Sequence, residues 1–197
     1  MISNSESRGA TVKKIDDFNA SDRIGVKLLE NYTHFLVGEI EEENVLECIK
    51  WIISENVDQS KQKTLTLYIN STGGDLYQAF ALIDVMRNSY HEIRTIGIGA
   101  VMSAAFLIFT SGTKGERYAS SLTSFMCHQF SSGGEAKYHD IKAEMKENES
   151  LNAKMVDILK NATGLPVAKI KSKLLPASDV YLSATEVLDF GVADHVI

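Results

Sequence analysis

The sequence has no surplus of positive charge and only two cysteines. Its formal net charge is −6, from 20 basic and 26 acidic residues, whereas a nucleic-acid-binding protein normally carries a basic stripe or patch. Cys48 and Cys127 lie far apart in the chain and form no metal-type spacing. We therefore expect no nucleic-acid partner, and reduced thiols in a cytoplasmic compartment.

Long apolar segments and cofactor motifs are also missing. No apolar core of a secretory signal stands near the start of the sequence. The longest apolar run, residues 100–109, is far shorter than the roughly 20 residues that a membrane span needs. The H-E-x-x-H, Cys-x-x-Cys and P-loop motifs do not occur. These absences predict a cytoplasmic protein without a membrane, metal or nucleotide site of its own.

The sequence does contain an alternation of strand-like and helix-like segments. Apolar runs predict strands at 33–40, 65–70, 94–99 and 123–128, and periodic patterns predict helices at 44–56, 75–88, 103–112, 135–162 and 182–191. Residues 71–74, Ser-Thr-Gly-Gly, predict a turn. This alternation favours a mostly parallel sheet with helices packed around it. Residues 1–24 are polar and lack periodicity, which predicts a flexible arm before a single domain at 25–197.

Two predicted strand-to-helix junctions carry residues suited to chemistry. At the first, Gly73 and Gly74 precede a helix, where N–H groups without a neighbouring Cβ can bind an anion. At the second, Ser103 begins an apolar helix beside unsatisfied N–H groups. From spacing alone, an ordinary N-capping serine is the simpler interpretation. A serine nucleophile would need a base and an orienting acid as well.

His128 is the histidine best placed to be such a base. It ends a predicted strand, and in parallel sheets the residues that bind ligands or react lie at the carboxyl ends of the strands. Asp179 lies in a loop before a helix, a suitable but not diagnostic place for the orienting acid. The order serine, histidine, aspartate differs from that of α/β-hydrolases, and no G-x-S-x-G occurs.

Six strings occur in the order in which one known family has similar motifs: LYINSTGGD, GIGAVMSAAFL, GTKGERYA, MCHQ, NATG and YLSATEVLDFGVADHVI. From about Leu28 to Ile197 the chain resembles the ClpP peptidase family, the proteolytic subunit of Clp proteases. The resemblance implies an α/β fold, a ClpP/crotonase-like spiral of strand–helix units. The predicted helix at about 135–162 would be its protruding handle.

The resemblance also implies roles for individual residues. Carried over by position, Ser103 is the nucleophile, His128 the general base and Asp179 the orienting acid. The backbone N–H groups of Gly74 and Ala104 would form the oxyanion hole. The implied substrate-binding residues are Asp75, Leu76, Phe130 and Ser131, and the implied partner-docking residues are Tyr68, Ile96, Ile98 and Tyr118.

The function implied is that of a serine endopeptidase subunit acting on unfolded polypeptides or short peptides inside an oligomeric chamber. The chamber would be a tetradecamer of two stacked heptameric rings, fed by a Clp AAA+ ATPase. That partner alone would use ATP, so no cofactor is expected in this chain. The arm at 1–24 would be an axial gating segment or a propeptide. Because His128 must be neutral to act as a base, activity should fall below roughly pH 6–7.

Some residues depart from the family's pattern. Asp75 replaces an apolar residue and Phe130 a proline near the site, which predicts an altered cleavage preference. Val180 stands where an arginine usually ties the rings together. Smaller residues in the docking surface favour an altered ATPase partnership. Three alternatives stay open: a non-catalytic ring subunit, an ATPase-independent viral capsid-maturation peptidase of this family, and a crotonase-fold enzyme acting on an acyl-CoA.

Overall fold

The computed structural model describes residues 19–129 and 137–197, which fall into two compact units divided between Tyr32 and Thr33. The first unit holds helix α1 (Ala20–Glu30), whose start is capped by the Asn19 side chain accepting from the Asp22 N–H at 2.9 Å. The arm predicted at 1–24 therefore ends in a helix that the sequence pattern did not reveal. Residues 1–18 of that arm lie outside the described residues.

The second unit is built on one mixed sheet, with seven strands in the described part of the chain. They are β1 (Thr33–Ile40), β2 (Thr64–Gly74), β3 (Glu92–Met102), β4 (Arg117–Ala119), β5 (Ser124–Cys127), β6 (Val180–Leu182) and β7 (His195–Val196). Strands β1, β2, β3, β4 and β7 follow one another in parallel. Strand β5 also pairs in parallel with β3, and β6 is antiparallel to β5. The predicted mixed α/β fold with a mostly parallel sheet is confirmed.

Six further helices lie in the described residues of this unit. They are α2 (Glu42–Glu55), α3 (Leu76–Arg87), α4 (Ala104–Thr110), α5 (Tyr138–Thr163), α6 (Val167–Lys173) and α7 (Ala184–Asp189). Each predicted helix has its counterpart here, and α7 begins with a capping box formed by Ser183 and Glu186. Helix α6 and strands β4, β6 and β7 are additions that the local pattern did not indicate.

Two predicted strand ends are wrong, because β2 and β3 run further than their apolar runs. Residues 71–74 are not a turn: Ser71 pairs with β3, and Gly73 and Gly74 pair with β1. Strand β3 does not end at Gly99, which has φ +63° and forms a bulge. The Asn70 side chain accepts from the Ala100 N–H at 3.0 Å there, so it replaces a ladder bond and the strand continues.

The core lies between this sheet and its helices. Leu36, Leu67 and Ile69 are fully buried on the sheet, as are Val45, Cys48 and Ile52 on α2. Helix α4 is buried along all of its seven residues, and its Phe109 ring packs 5.2 Å from that of Phe125. The helix that follows Ser103 is thus held on every side, which fixes the position of its first residues.

The apolar seam of helix α5 is buried in the core near the end of the helix and exposed to solvent near its start. Met155 and Leu159 are buried near its end, whereas Ile141 and Met145 are 42% and 59% exposed near its start. The first half of the handle therefore leaves part of its apolar seam uncovered in the single chain. Within the described ranges, none of the helices combines the length and the apolar character needed to cross a membrane.

A buried arginine ties the C-terminal segment to the rest of the fold. Arg117 donates from Nη2 and Nε to the two Asp194 carboxylate oxygens at 2.6 and 2.8 Å. Its Nη1 donates to the carbonyls of Thr110 and Ala162, at the ends of α4 and α5. One side chain thus joins β4, two helix ends and the segment before β7.

Candidate active site

The parallel pairing of β3 and β5 brings Ser103 and His128 to the same edge of the sheet. Met102 pairs with Met126, so the residues that follow these strands leave the sheet side by side. The Ser103 N–H donates to the Met126 carbonyl at 2.9 Å. The Ser103 Oγ then lies 2.7 Å from the His128 Nε2, which is hydrogen-bond distance.

Ser103 has an unusual backbone conformation, with φ +54° and ψ −121°. This region is unfavourable for a residue with a Cβ, and such strain costs on the order of 1–3 kcal/mol. The interpretation of Ser103 as an ordinary N-capping serine is wrong, because its side chain makes no capping hydrogen bond to α4. The strained turn instead directs the hydroxyl to His128.

Asp179 reaches the other nitrogen of the same imidazole. Because β6 is antiparallel to β5, Val180 pairs with Cys127 and the preceding residue lies next to His128. The Asp179 Oδ1 is 3.4 Å from the His128 Nδ1, and the two side chains are 52% and 23% exposed. This distance exceeds that of a good hydrogen bond. The carboxylate therefore orients the ring only loosely in this geometry.

Gly73 packs directly against the serine. A methyl group on Gly73, which has φ +102°, would lie 2.6 Å from the Ser103 Cβ and 3.2 Å from the Ala104 N. The next residue, Gly74, has φ +150° and backs onto β1, where a methyl group would lie 2.7 Å from the Ile40 N. Gly73 is therefore required for the close approach of β2 to Ser103, and Gly74 for its close approach to β1.

A sequence model of the Clp protease family matches residues 17–197, which is most of the chain. The chain belongs to the Clp protease family. This membership supports a peptidase whose relatives assemble into rings and work with Clp ATPases, and it agrees with the α/β architecture of the sheet and helices.

In this Clp protease family member, two of the four expected substrate-binding residues are in the described part. Asp75 caps α3, since its carboxylate accepts from the Tyr77 and Gln78 N–H groups at 2.7 and 3.1 Å. Leu76 is the first residue of that helix and is half-buried. Phe130 and Ser131 lie outside the described residues. All four remain predictions as substrate contacts.

The expected docking residues share one face of the sheet. One register row crosses five parallel strands through Phe35, Tyr68, Ile96, Tyr118 and His195. The rings of Phe35 and Tyr68 stack at 5.1 Å, and those of Tyr118 and His195 at 4.6 Å. Ile98 follows two residues after Ile96 and is half-buried on the same face. Only the register shows that Phe35 and His195 belong to this row.

The thiol next to the site is unsuited to act in place of the serine. Cys127 is buried, and burial raises the pKa of its thiol to about 12, against a small opposing effect of a hydrogen bond to the His128 backbone. A thiol in this state is protonated and unreactive at neutral pH. In the described part of the chain, no three histidine, cysteine or acidic side chains are grouped to hold a metal ion.

Proposed function

We propose that this chain is a serine endopeptidase subunit that cleaves unfolded polypeptides or short peptides by acyl transfer. The observation that carries the proposal is the 2.7 Å contact between the Ser103 Oγ and the His128 Nε2. A hydroxyl so close to an imidazole nitrogen can pass its proton to the ring as it attacks a carbonyl. The strained Ser103 backbone and the family membership both support this role.

In the proposed mechanism, His128 accepts the Ser103 proton while the Oγ attacks the carbonyl carbon of the peptide bond. The imidazolium then gives that proton to the departing amine, leaving an ester on Ser103. Water, deprotonated by His128, attacks the ester, and the carboxylic acid product leaves as the serine regains its proton. Asp179 stabilises the imidazolium during both steps, from the loose position described above.

The oxyanion hole is proposed to consist of the Gly74 and Ala104 N–H groups. The Asp75 N–H donates to the Ile40 carbonyl of β1 at 2.8 Å. Because successive amides of an extended chain point to opposite sides, we expect the Gly74 N–H to point away from β1, to the side of Ser103. Ala104 follows the nucleophile directly at the start of α4. Losing one such donor typically lowers the rate about 100- to 1,000-fold.

We further propose that the subunit works in a chamber of two stacked heptameric rings. The exposed Ile141 and Met145 side chains of α5 support contact between subunits through this handle. A Clp AAA+ ATPase would dock on the sheet face that carries Tyr68, Ile96, Ile98 and Tyr118, and it alone would use ATP. The protein would act in the cytoplasm, without a cofactor of its own.

A non-catalytic ring subunit is the second candidate. It is favoured by the exposed Asp179 carboxylate and by its 3.4 Å separation from the His128 Nδ1. A ring member with a poorly oriented histidine would bind peptides without turning them over. This candidate predicts that replacing Ser103 changes no measured activity.

The test is hydrolysis of short fluorogenic peptides by the wild type, Ser103→Ala and Ser111→Ala, with the mass in solution measured on the same samples. Ser111 is a matched control, because its hydroxyl donates to the Leu107 carbonyl of α4. We expect Ser103→Ala to lose at least about 1,000-fold of the activity and Ser111→Ala to retain it. Equal activity in all three proteins, or no activity in an assembled wild type, would refute the proposal that this chain is a serine peptidase.

A further inference from the structure

The segment 176–179 carries Asp179 between α6 and β6, and both of its ends are tied to neighbours of His128. At one end, Val180 pairs with Cys127 across the antiparallel strands β5 and β6. At the other end, the Gln129 Nε2 donates a hydrogen bond to the Leu175 carbonyl at 2.9 Å. The residues directly before and after the imidazole thus hold the two ends of the segment that bears its carboxylate.

The middle of this segment has little else to hold it. Leu175 is buried and its N–H donates to the Ile170 carbonyl at 2.9 Å, so the backbone is anchored up to that residue. Residues 177–179 are exposed. In the described residues, His128 is the only side chain that the structure gives the Asp179 carboxylate as a partner. The position of Asp179 therefore depends on its two anchors.

We propose that Gln129 is a positioning residue that holds Asp179 beside His128 through the Leu175 carbonyl. This inference rests on the proposed peptidase function. Of the two anchors, the β5–β6 pairing is made by backbone atoms, whereas the Gln129 bond is made by a side chain. The Gln129 bond can therefore be removed by a substitution that leaves the pairing of β6 with β5 intact. Without it the segment moves away from the ring, and the 3.4 Å separation between Asp179 and His128 lengthens.

The effect is expected on turnover and not on peptide binding. Gln129→Met keeps the length of the side chain but removes the donor of the bond to the Leu175 carbonyl. We expect kcat for a fluorogenic peptide to fall about 5- to 10-fold, because the net contribution of one neutral hydrogen bond corresponds to a change of about that size. KM should stay within about 2-fold, because the acid stabilises the imidazolium and does not bind substrate.

A double-substitution cycle separates positioning from general loosening of the fold. If Gln129 acts through Asp179, then Gln129→Met should change the rate less than about 2-fold once Asp179→Asn is present. The rate of Ser103 labelling by a fluorophosphonate serves as the second readout, since it stays measurable in weak variants. Gln59→Met is the matched control, because Gln59 also donates to a backbone carbonyl, that of Asn56, in an exposed loop.

The result that supports the inference is a kcat loss in Gln129→Met that disappears in the Asp179→Asn background, with Gln59→Met and the thermal melting temperatures unchanged. Full activity in Gln129→Met overturns it, and so does an equal loss in both backgrounds. These outcomes can be distinguished from failure of the proposed peptidase function. In that case Ser103→Ala would be as active as the wild type.

Discussion

Adding one methyl group at Gly73 should disable the serine without unfolding the protein. That methyl would lie 2.6 Å from the Ser103 Cβ and 2.9 Å from the Met102 carbonyl oxygen. Carbon atoms in contact are normally about 3.5–4.0 Å apart, so relief of the overlap displaces the serine by about 1 Å. A misplacement of this size at a reacting centre costs about 100-fold in rate. We therefore expect Gly73→Ala to lose at least about 100-fold in kcat/KM.

Backbone strain alone has to be separated from this displacement. Gly115 provides the control, because its φ of +93° is close to the +102° of Gly73 and no atom would lie within 4 Å of an added methyl. Alanine in this region costs about 1–2 kcal/mol at either position. Both variants should therefore melt at lowered temperatures, Gly73→Ala at the lower one because its overlap adds to the backbone strain, whereas only Gly73→Ala should lose activity.

The assay combines peptide hydrolysis with fluorophosphonate labelling of Ser103 and a thermal melt of each protein. Labelling matters because it reports on the serine itself and needs no bound peptide. If Gly73→Ala hydrolysed peptide within about 3-fold of Gly115→Ala, β2 would not control the position of Ser103, and the reasoning from the close approach would be refuted.

Three other predictions concern stability, reactivity and docking. Asp194→Asn should lower the free energy of unfolding at pH 7 by about 3 kcal/mol, since it breaks a buried pair with Arg117. Burial opposes ionisation of Asp194, but Arg117 and two backbone N–H groups bring its pKa below the usual value. The pair's stabilisation is therefore present above the usual pKa of an aspartate, about 4, and is lost as the pH falls further, so the difference between the urea unfolding curves of the two proteins should shrink as the pH is lowered below about 4. Burial raises the pKa values of Cys48 and Cys127 to about 12. Iodoacetamide at about pH 8 should therefore leave both thiols unmodified until urea unfolds the protein. Labelling of either thiol in the folded protein would contradict this prediction. Tyr68→Ala should reduce ATPase-driven protein degradation at least about 10-fold, the loss typical of an interface anchor, while short-peptide hydrolysis persists. If Tyr68→Ala degraded protein as fast as the wild type, the proposal that the ATPase docks on this sheet face would be refuted.

The sequence predicted the elements that carry their own periodicity. The apolar stripe of residues 44–56 and the run at 33–40 both fold as expected, because each presents one face to a core. Gly164 ends α5 with φ +72°, as a glycine just past a helix predicts. Ser183 likewise begins α7 with its capping box.

Elements fixed by distant partners could not be predicted in this way. Strand β6 has three residues and exists because it pairs with β5, and β7 has two and pairs with β4. The extension of β3 beyond Gly99 depends on the Asn70 side chain from another strand. Helices α1 and α6 did leave weak signals, the capping Asn19 and the Pro166 that precedes Val167. However, α6 buries only Ile170 and α1 buries no residue, so neither is fixed by an apolar face packed on the core.

The candidate site was predictable only through motifs in a fixed order. Spacing alone favoured a capping role for Ser103, because the positive φ that turns its hydroxyl to His128 has no sequence signature. The loose position of Asp179 and the Gln129 bond to Leu175 depend on how β6 and the end of α6 are seated beside β5. Such contacts join residues about 50 positions apart in the sequence and arise from packing.

The most direct test of the central claim is the site of fluorophosphonate labelling, mapped by peptide mass spectrometry on the assembled protein. The proximity of the Ser103 Oγ and the His128 Nε2 predicts a single labelled residue, Ser103, with labelling at least about 100-fold slower in His128→Ala. An assembled wild type that stays unlabelled, or a Ser103 that labels as fast without His128, would contradict the claim that this pair forms a nucleophile and its base.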